Sequence, residues 1–263
     1  MKDERPTADD VVLGTKEDLY QVIGWLEREF NEGLNDFWYN RRMLPEALDD
    51  DRFYVIRDGG EAVAFQVGSY SPSIANVRKD KQGKGLGTAL LDASIARARR
   101  DNVNILVVEC SPRTSLTFWE KHGFERFGDM SDWGKLTARR VLHRPVDLPE
   151  GLPRVPVRIE FYPERVIYSP DEHVEPIALH DVLGARLDDG AVMLDRRVIC
   201  SDDTGRNCGD LAIKIEVDGE VRCFAKAKHD AAEEAGVERD WKGGAFYLDV
   251  IEPRETEKDP APG

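Results

Sequence analysis

The run from Ile74 to Arg100, IANVRKDKQGKGLGTALLDASIARARR, constrains this chain more tightly than any other stretch. It reads as a strand, a turn with glycine at alternate positions (Gly83, Gly85, Gly87), and a helix with Leu86, Leu90, Leu91 and Ile95 on one face. Glycines let the backbone turn without Cβ clashes, so several N–H groups point outward together. The start of the following helix adds its own unpaired N–H groups and the positive end of its dipole. Such a turn is an anion trap, and a pyrophosphate fits it.

Three kinds of phosphate loop compete for this run. A Walker A loop requires G-x-x-x-x-G-K-[ST], which the chain does not contain. A dinucleotide fingerprint requires a third glycine where Leu90 stands. The remaining pattern, [QR]-x-x-G-x-[GA], is met by Gln82, Gly85 and Gly87, with Val77 six residues before Gly83. A buried strand follows at 104–110, then Phe118-Trp119-Glu120-Lys121-His122-Gly123-Phe124. On these two segments and their element order, residues 1–148 resemble the GCN5-related N-acetyltransferase (GNAT) superfamily.

The resemblance implies an acetyl-CoA-dependent N-acetyltransferase in which an amine attacks the thioester directly in a ternary complex. Carried over by motif, Ala75, Asn76 and Val77 bind the pantetheine arm. Gly83, Lys84, Gly85, Leu86, Gly87 and Thr88 cradle the pyrophosphate, and Gln82 braces the loop. The chain departs from the family where a Tyr commonly acts as general acid, because Trp119 stands there and an indole N–H is a donor only. Trp119 is then expected to pack against the cofactor arm, and Pro112 occupies a position where members often carry Asn. Ser115 is a candidate proton donor and Glu109 the candidate base, lying on the same strand face as Val107. Glu32, Asp36, Trp38 and Tyr39 fall where relatives shape the acceptor pocket, and they suit a cationic amine. A second reading is an acyl-CoA-binding regulatory or interaction protein with weak or lost catalysis.

Charge narrows the partners. The net charge is −14, unevenly spread: 22 basic against 26 acidic residues in 1–150, and 15 against 25 in 151–263. An acidic surface repels phosphate backbones, which disfavours nucleic acid. No apolar run is long enough to span a membrane, and the charged start MKDERPTADD lacks a signal-peptide h-region, so the expected compartment is cytoplasmic. Cys110, Cys200, Cys208 and Cys223 are scattered, which reads as free thiols rather than a metal site.

Composition shifts at 144–157, where four prolines and a glycine suggest a linker. Upstream, Thr15 with Asp18 forms a capping-box signature, and Leu19, Val22, Ile23, Leu26 and Phe30 mark one helical face. A second helix is expected over 36–48, and Asp58-Gly59-Gly60 signals a hairpin. Downstream, strands are expected at 155–161, 165–168, 191–200, 211–217, 221–225 and 245–250, with one helix at 226–235 and a disordered tail from about 252. The expected fold is α/β (α+β): a GNAT-type mixed central sheet flanked by helices in 1–148, then a smaller β-rich domain with one helix in 149–263. For that second domain three roles stand open: completing the acceptor site, forming a homodimer, or binding a separate ligand.

Overall fold

The computed structural model describes residues 5–34, 36–127, 136–169, 174–200, 211–240 and 245–254. It divides into two compact units, Met1–Glu109 and Cys110–Gly263.

The first unit is built on a four-stranded antiparallel sheet in the order β1 (Val11–Leu13), β2 (Phe53–Asp58), β3 (Glu61–Val67), β4 (Ile74–Val77). Between β1 and β2 lie α1 (Lys16–Asn31), a 3-10 segment (Asp36–Arg42) and α2 (Met43–Asp49). After β4 come α3 (Leu86–Arg100) and β5 (Ile105–Glu109). One sheet face packs Phe53, Val55, Phe65 and Val67 against Leu19, Val22, Trp25 and Leu26 of α1 and Leu44 and Ala47 of α2. The other packs Ile56, Val63 and Ala64 against Leu86, Ala89 and Leu90 of α3. β3 serves both faces by alternation, and a register slip against β2 between Ile56 and Arg57 leaves Val63 as the extra residue of a bulge, so that Val63 and Ala64 pack on the same face. At that bulge α1 takes up the backbone of Ala62. Its N–H donates to Gln21 Oε1 (2.7 Å), and its carbonyl accepts from Trp25 Nε1 (3.1 Å).

The capping box opens α1: Thr15 Oγ1 accepts from Asp18 N, and Thr15 N donates to Asp18 Oδ2 at 2.7 Å. Asp18 also takes both arms of Arg57 from β2 (2.7 and 2.6 Å). Burial pushes this carboxyl up, but the bonds from Arg57 and Thr15 outweigh it and hold Asp18 below the usual carboxylate range. A depressed folded-state pKa contributes stability above the unfolded value of about 4, and that stability is lost as pH falls through the lower folded value. Asp18→Ala is therefore expected to cost about 2–3 kcal/mol near neutral pH, the cap and ion pair together, moderated by the partial exposure of Arg57. Urea midpoints should show this gap at neutral pH and show it narrowing below about pH 4.

The second unit carries α4 (Leu116–Lys121), preceded by a 3-10 turn at Arg113–Ser115, and the hairpin β6 (Glu125–Phe127) with β7 (Thr137–Val141). A seven-stranded antiparallel sheet follows, built from β8 (Arg154–Pro163), β9 (Ala178–Arg186), β10 (Val192–Cys200), β11 (Leu211–Val217), β12 (Glu220–Lys226), β13 (Glu238–Arg239) and β14 (Phe246–Ile251). Its order is β12-β11-β8-β9-β10-β14-β13. Val157, Ile159, Phe161, Leu194, Ile213, Ile215 and Leu248 fill its core. Among the described residues after β8, the one α-helix is α5, Asp230–Glu234.

Several expectations change. Residues 165–168 are not a strand; a 3-10 turn at Glu164–Ile167 buries Val166 instead. β9 was not anticipated. The expected helix at 226–235 shortens to five residues because Lys226 pairs with Ala212 in the sheet. The helix expected at 36–48 begins as 3-10 and becomes α only at Met43. The proline-rich stretch is not a free linker: Arg197 N donates to Arg144 O, Val146 N donates to Asp195 O, and Pro145 bridges Arg196. Arg144 to Val146 belong with β10 in the unit Cys110–Gly263. The tail beyond Arg254 lies outside the described residues.

Candidate functional site

The glycine loop joins the end of β4 to the start of α3. β4 is the last strand of its sheet, and β5 belongs to a different one, so the outer edge of β4 pairs with no strand among the described residues. Arg78 N donates to Val63 O, which fixes the alternation: the next hydrogen-bonded pair is Asn76 with Phe65. The peptide groups of Ala75 and Val77 consequently face the open edge. Gln82 confirms the direction, since its Nε2 donates to Val77 O at 3.0 Å. β5 is tied alongside by Val107 N donating to Ser71 Oγ (3.0 Å).

Gly83 (φ 78°) and Gly85 (φ 88°) both take left-handed backbone conformations, and Gly85 is the N-cap of α3 with no capping side chain. The first backbone bond into the helix is Ala89 N to Gly85 O, so the N–H groups of Leu86 and Gly87 precede the helical ladder. No side-chain oxygen is supplied at this cap, where a protein-only design would place Ser, Thr, Asp or Asn. Gly83, Lys84 and Gln82 are exposed, Leu86 is buried and anchors the turn, and Gly87 and Thr88 are half-buried.

Neighbouring cations are mostly engaged. Lys81 Nζ meets Asp58 at 2.7 Å and holds that carboxyl below its usual range; Arg78 bridges Asp80 (2.7 Å) and Glu61 (3.0 Å). Lys84 has no ion-pair partner among the described residues. Sequence reasoning missed Glu29 of α1, which is buried and accepts Lys79 N at 2.6 Å, pinning the start of the loop. Its signal was present: Glu29 lies seven residues after Val22 and three after Leu26, inside the apolar stripe.

Next to Glu29 in the last turn of α1, Phe30 stacks on Trp38 (6.3 Å between ring centroids, 26°) and meets Tyr39 edge-on (5.2 Å). Arg41 places its guanidinium carbon 3.9 Å from the Trp38 ring centre, so that ring already carries a cation. Tyr39 is 69% exposed and Glu32 is exposed; the side chain of Asp36 lies outside the described residues.

Glu109 is exposed on β5 on the same face as Val107, while Leu106 and Val108 are buried. In the second unit, Trp119 is 8% exposed and sits edge-on to Phe118 (5.0 Å) and Phe124 (5.2 Å). Its Nε1 and the Oγ of Ser115, one helical turn earlier, are both buried without a hydrogen-bond partner among the described residues. Orphaned buried polar groups are costly, about 1–3 kcal/mol each, and tend to mark a place where something else binds. Among the thiols, Cys110 and Cys223 are buried and in no disulfide, and burial pushes Cys223 up to about 11. The Cys200 side chain and Cys208 lie outside the described residues.

Residues 49–126 match the family model described as "Acetyltransferase (GNAT) domain". The L-methionine sulfoximine/L-methionine sulfone acetyltransferase of Pseudomonas aeruginosa is 38% identical over 65 residues. That match covers 24% of this chain and 38% of the relative's length. Among solved structures, the ribosomal-protein-alanine N-acetyltransferase from Brucella melitensis matches half of this chain and 99% of its own, at 22% identity and TM-score 0.39. The PaiA N-acetyltransferase from Thermoplasma acidophilum, solved with coenzyme A, matches half of this chain and 98% of its own, at 11% identity and TM-score 0.42.

Proposed function

We propose that this chain, whose residues 49–126 match the GNAT acetyltransferase domain model, is an acetyl-CoA-dependent N-acetyltransferase acting on the amine of a small molecule or protein. One observation carries the reading: a helix N-terminus with no side-chain cap at Gly85, beside two left-handed glycines, adjoins a strand whose outer edge pairs with no described strand. These residues fit coenzyme A. The amides of Gly83 to Thr88, with Lys84, suit a pyrophosphate. The edge peptides of Ala75 and Val77 suit the amides of a pantetheine arm, as strand edges suit any extended amide chain. Asn76 turns its backbone to β3, so its contribution to the arm would come through its side chain.

Acetyl-CoA, when bound, supplies an acyl carbon already activated as a thioester. In the overall exchange the acceptor nitrogen forms the new N–C bond, the C–S bond breaks, the amine loses one proton and the thiolate gains one. The chain must therefore hold the amine, accept its proton and deliver one to sulfur. Glu109 is the proposed base, exposed on β5. For the returning proton, Ser115 or water serves, because Trp119 keeps its indole proton near neutral pH and offers only a hydrogen bond. The relative acting on methionine sulfoximine and methionine sulfone favours a small, amino-acid-like acceptor.

Thiol release from acetyl-CoA, followed across free amino acids, polyamines, aminoglycosides and peptide N-termini, tests the reading. An acceptor-dependent signal is expected, with loss of most of it in Glu109→Gln. A flat response across the panel contradicts it. The unpartnered indole of Trp119 is the observation favouring the second reading, an acyl-CoA-binding regulatory protein with weak or lost catalysis. That reading requires saturable CoA binding with no turnover, and thiol release appearing in Trp119→Tyr.

A further inference from the structure

The glycine loop has a neighbour outside its own motif. β1 pairs with β2, with Val11 opposite Ile56, and Val11 packs with Val77 against Leu86, Ala89 and Leu90. The 3-10 turn before it, Ala8–Asp10, rests on α3 and is closed by Thr7. Thr7 N donates to Asp10 Oδ2 at 2.7 Å, and Asp10 N donates to Thr7 O at 3.2 Å. This arm ends against the loop itself. Pro6 Cγ and Cδ each lie 3.9 Å from where a Cβ on Gly85 would stand, and Gly85 is the N-cap of α3.

Arg5 is the residue before that proline. The pyrrolidine ring fixes its own φ and confines the preceding residue to extended backbone, so Arg5 stands on a stiff stem. Its Cα is one step, about 3.8 Å, from that of Pro6, and an arginine side chain is longer than that step. Arg5 is exposed, and Asp10 of the same arm is turned to Thr7. The ion pairs among the described residues of this unit take up Arg52, Arg57, Arg78, Lys81 and Arg100, but neither Arg5 nor Lys84. In a chain of net charge −14, two cations free of acidic partners thus border one turn, Lys84 within it and Arg5 beside it. That turn directs N–H groups at an anion, and a guanidinium fork matches phosphate geometry.

We infer that Arg5 binds a phosphate of coenzyme A, so that the cofactor site extends beyond the glycine loop to the arm ahead of β1. The inference rests on the acetyl-CoA reading and deepens it by adding a ligand for the phosphate end. Arg5 then sets affinity for the acyl donor and takes no part in acyl transfer.

The test titrates coenzyme A into the full chain and its Arg5→Gln and Arg5→Lys variants at several salt concentrations. Arg5→Gln is expected to weaken binding about 5- to 10-fold, between the effect of an exposed ion pair and that of a buried charge-assisted hydrogen bond. Its affinity should also fall less steeply with salt, because one phosphate contact is gone. Arg5→Lys should recover at least half of the loss, since a point charge remains while the fork does not. Dephospho-coenzyme A separates the phosphates: a loss of equal size with it puts Arg5 on the pyrophosphate, and a loss seen only with coenzyme A puts it on the 3′-phosphate. Either result upholds the assignment. An affinity unmoved in Arg5→Gln overturns it and leaves the acetyl-CoA reading intact. So does a loss that Arg5→Lys fails to recover and that leaves the salt dependence as steep as the parent's, which is the mark of a merely structural role. A folded parent that coenzyme A does not saturate overturns both.

Discussion

Replacing Gly85 with valine is expected to weaken coenzyme A binding by about 100-fold, measured calorimetrically, with a loss of only about 1–2 kcal/mol in folding stability. The separation of the two effects follows from the geometry. A Cβ on Gly85 would find Pro6 at 3.9 Å and nothing nearer, so the substituted chain has room for the side chain. What it lacks is the conformation: φ is 88° at this residue, where a β-branched side chain is strongly disfavoured. Relaxing that strain rotates the neighbouring peptide planes and turns their N–H groups away from a common focus. Losing the equivalent of one charge-assisted hydrogen bond, at about 1.5–3 kcal/mol, accounts for the affinity change. Gly85→Ala should fall between, since alanine tolerates the left-handed region better than valine.

Trp25→Ala is expected to be the most destabilising single change in the first unit, at about 4 kcal/mol. Trp25 is 2% exposed, packs its ring against Phe65 (5.8 Å) and donates Nε1 to the carbonyl of Ala62 at the β3 bulge. Truncation opens a cavity and leaves that carbonyl without its partner. Trp25→Phe restores most of the volume but not the bond, and should recover more than half of the loss. A urea titration of both variants separates packing from hydrogen bonding; equal destabilisation by alanine and phenylalanine would place the bond, not the ring, in the leading role.

Much of the first unit was readable because its signals are local. The capping box at Thr15 and Asp18, the hairpin glycines after β2, and the glycine loop before α3 are each set by a few neighbouring residues, and each stands where the sequence puts it. The α1 stripe was read one step off: Trp25 and Glu29 are buried, whereas Ile23 and Phe30 are only partly so. A 3.6-residue period defines a face but not its centre, which the sheet chooses. The second unit was harder. β9 carries His180, Asp181 and Gly184 among its apolar residues, which reads as loop. Gly184 is there because Val192 on β10 approaches so closely that a Cβ would sit 2.3 Å from it, a cross-strand fact no local pattern contains. The Ala-rich stretch after Phe224 favours a helix by propensity, yet its first residues pair with β11, and tertiary pairing overrides propensity. Likewise Arg144 to Val146 looked like linker by composition but bonds to β10.

For the site, motif spacing indicated the loop, and the structure adds which peptides of β4 face outward and that Gln82 holds Val77.

The central claim is that this loop and strand edge bind coenzyme A, and a calorimetric titration of the full chain with coenzyme A tests it most directly. Saturable binding of one equivalent, with affinity falling as salt rises because phosphate contacts contribute, is the result expected here. A folded chain, verified by circular dichroism, that gives no binding heat and no saturation with either coenzyme A or acetyl-CoA would contradict it.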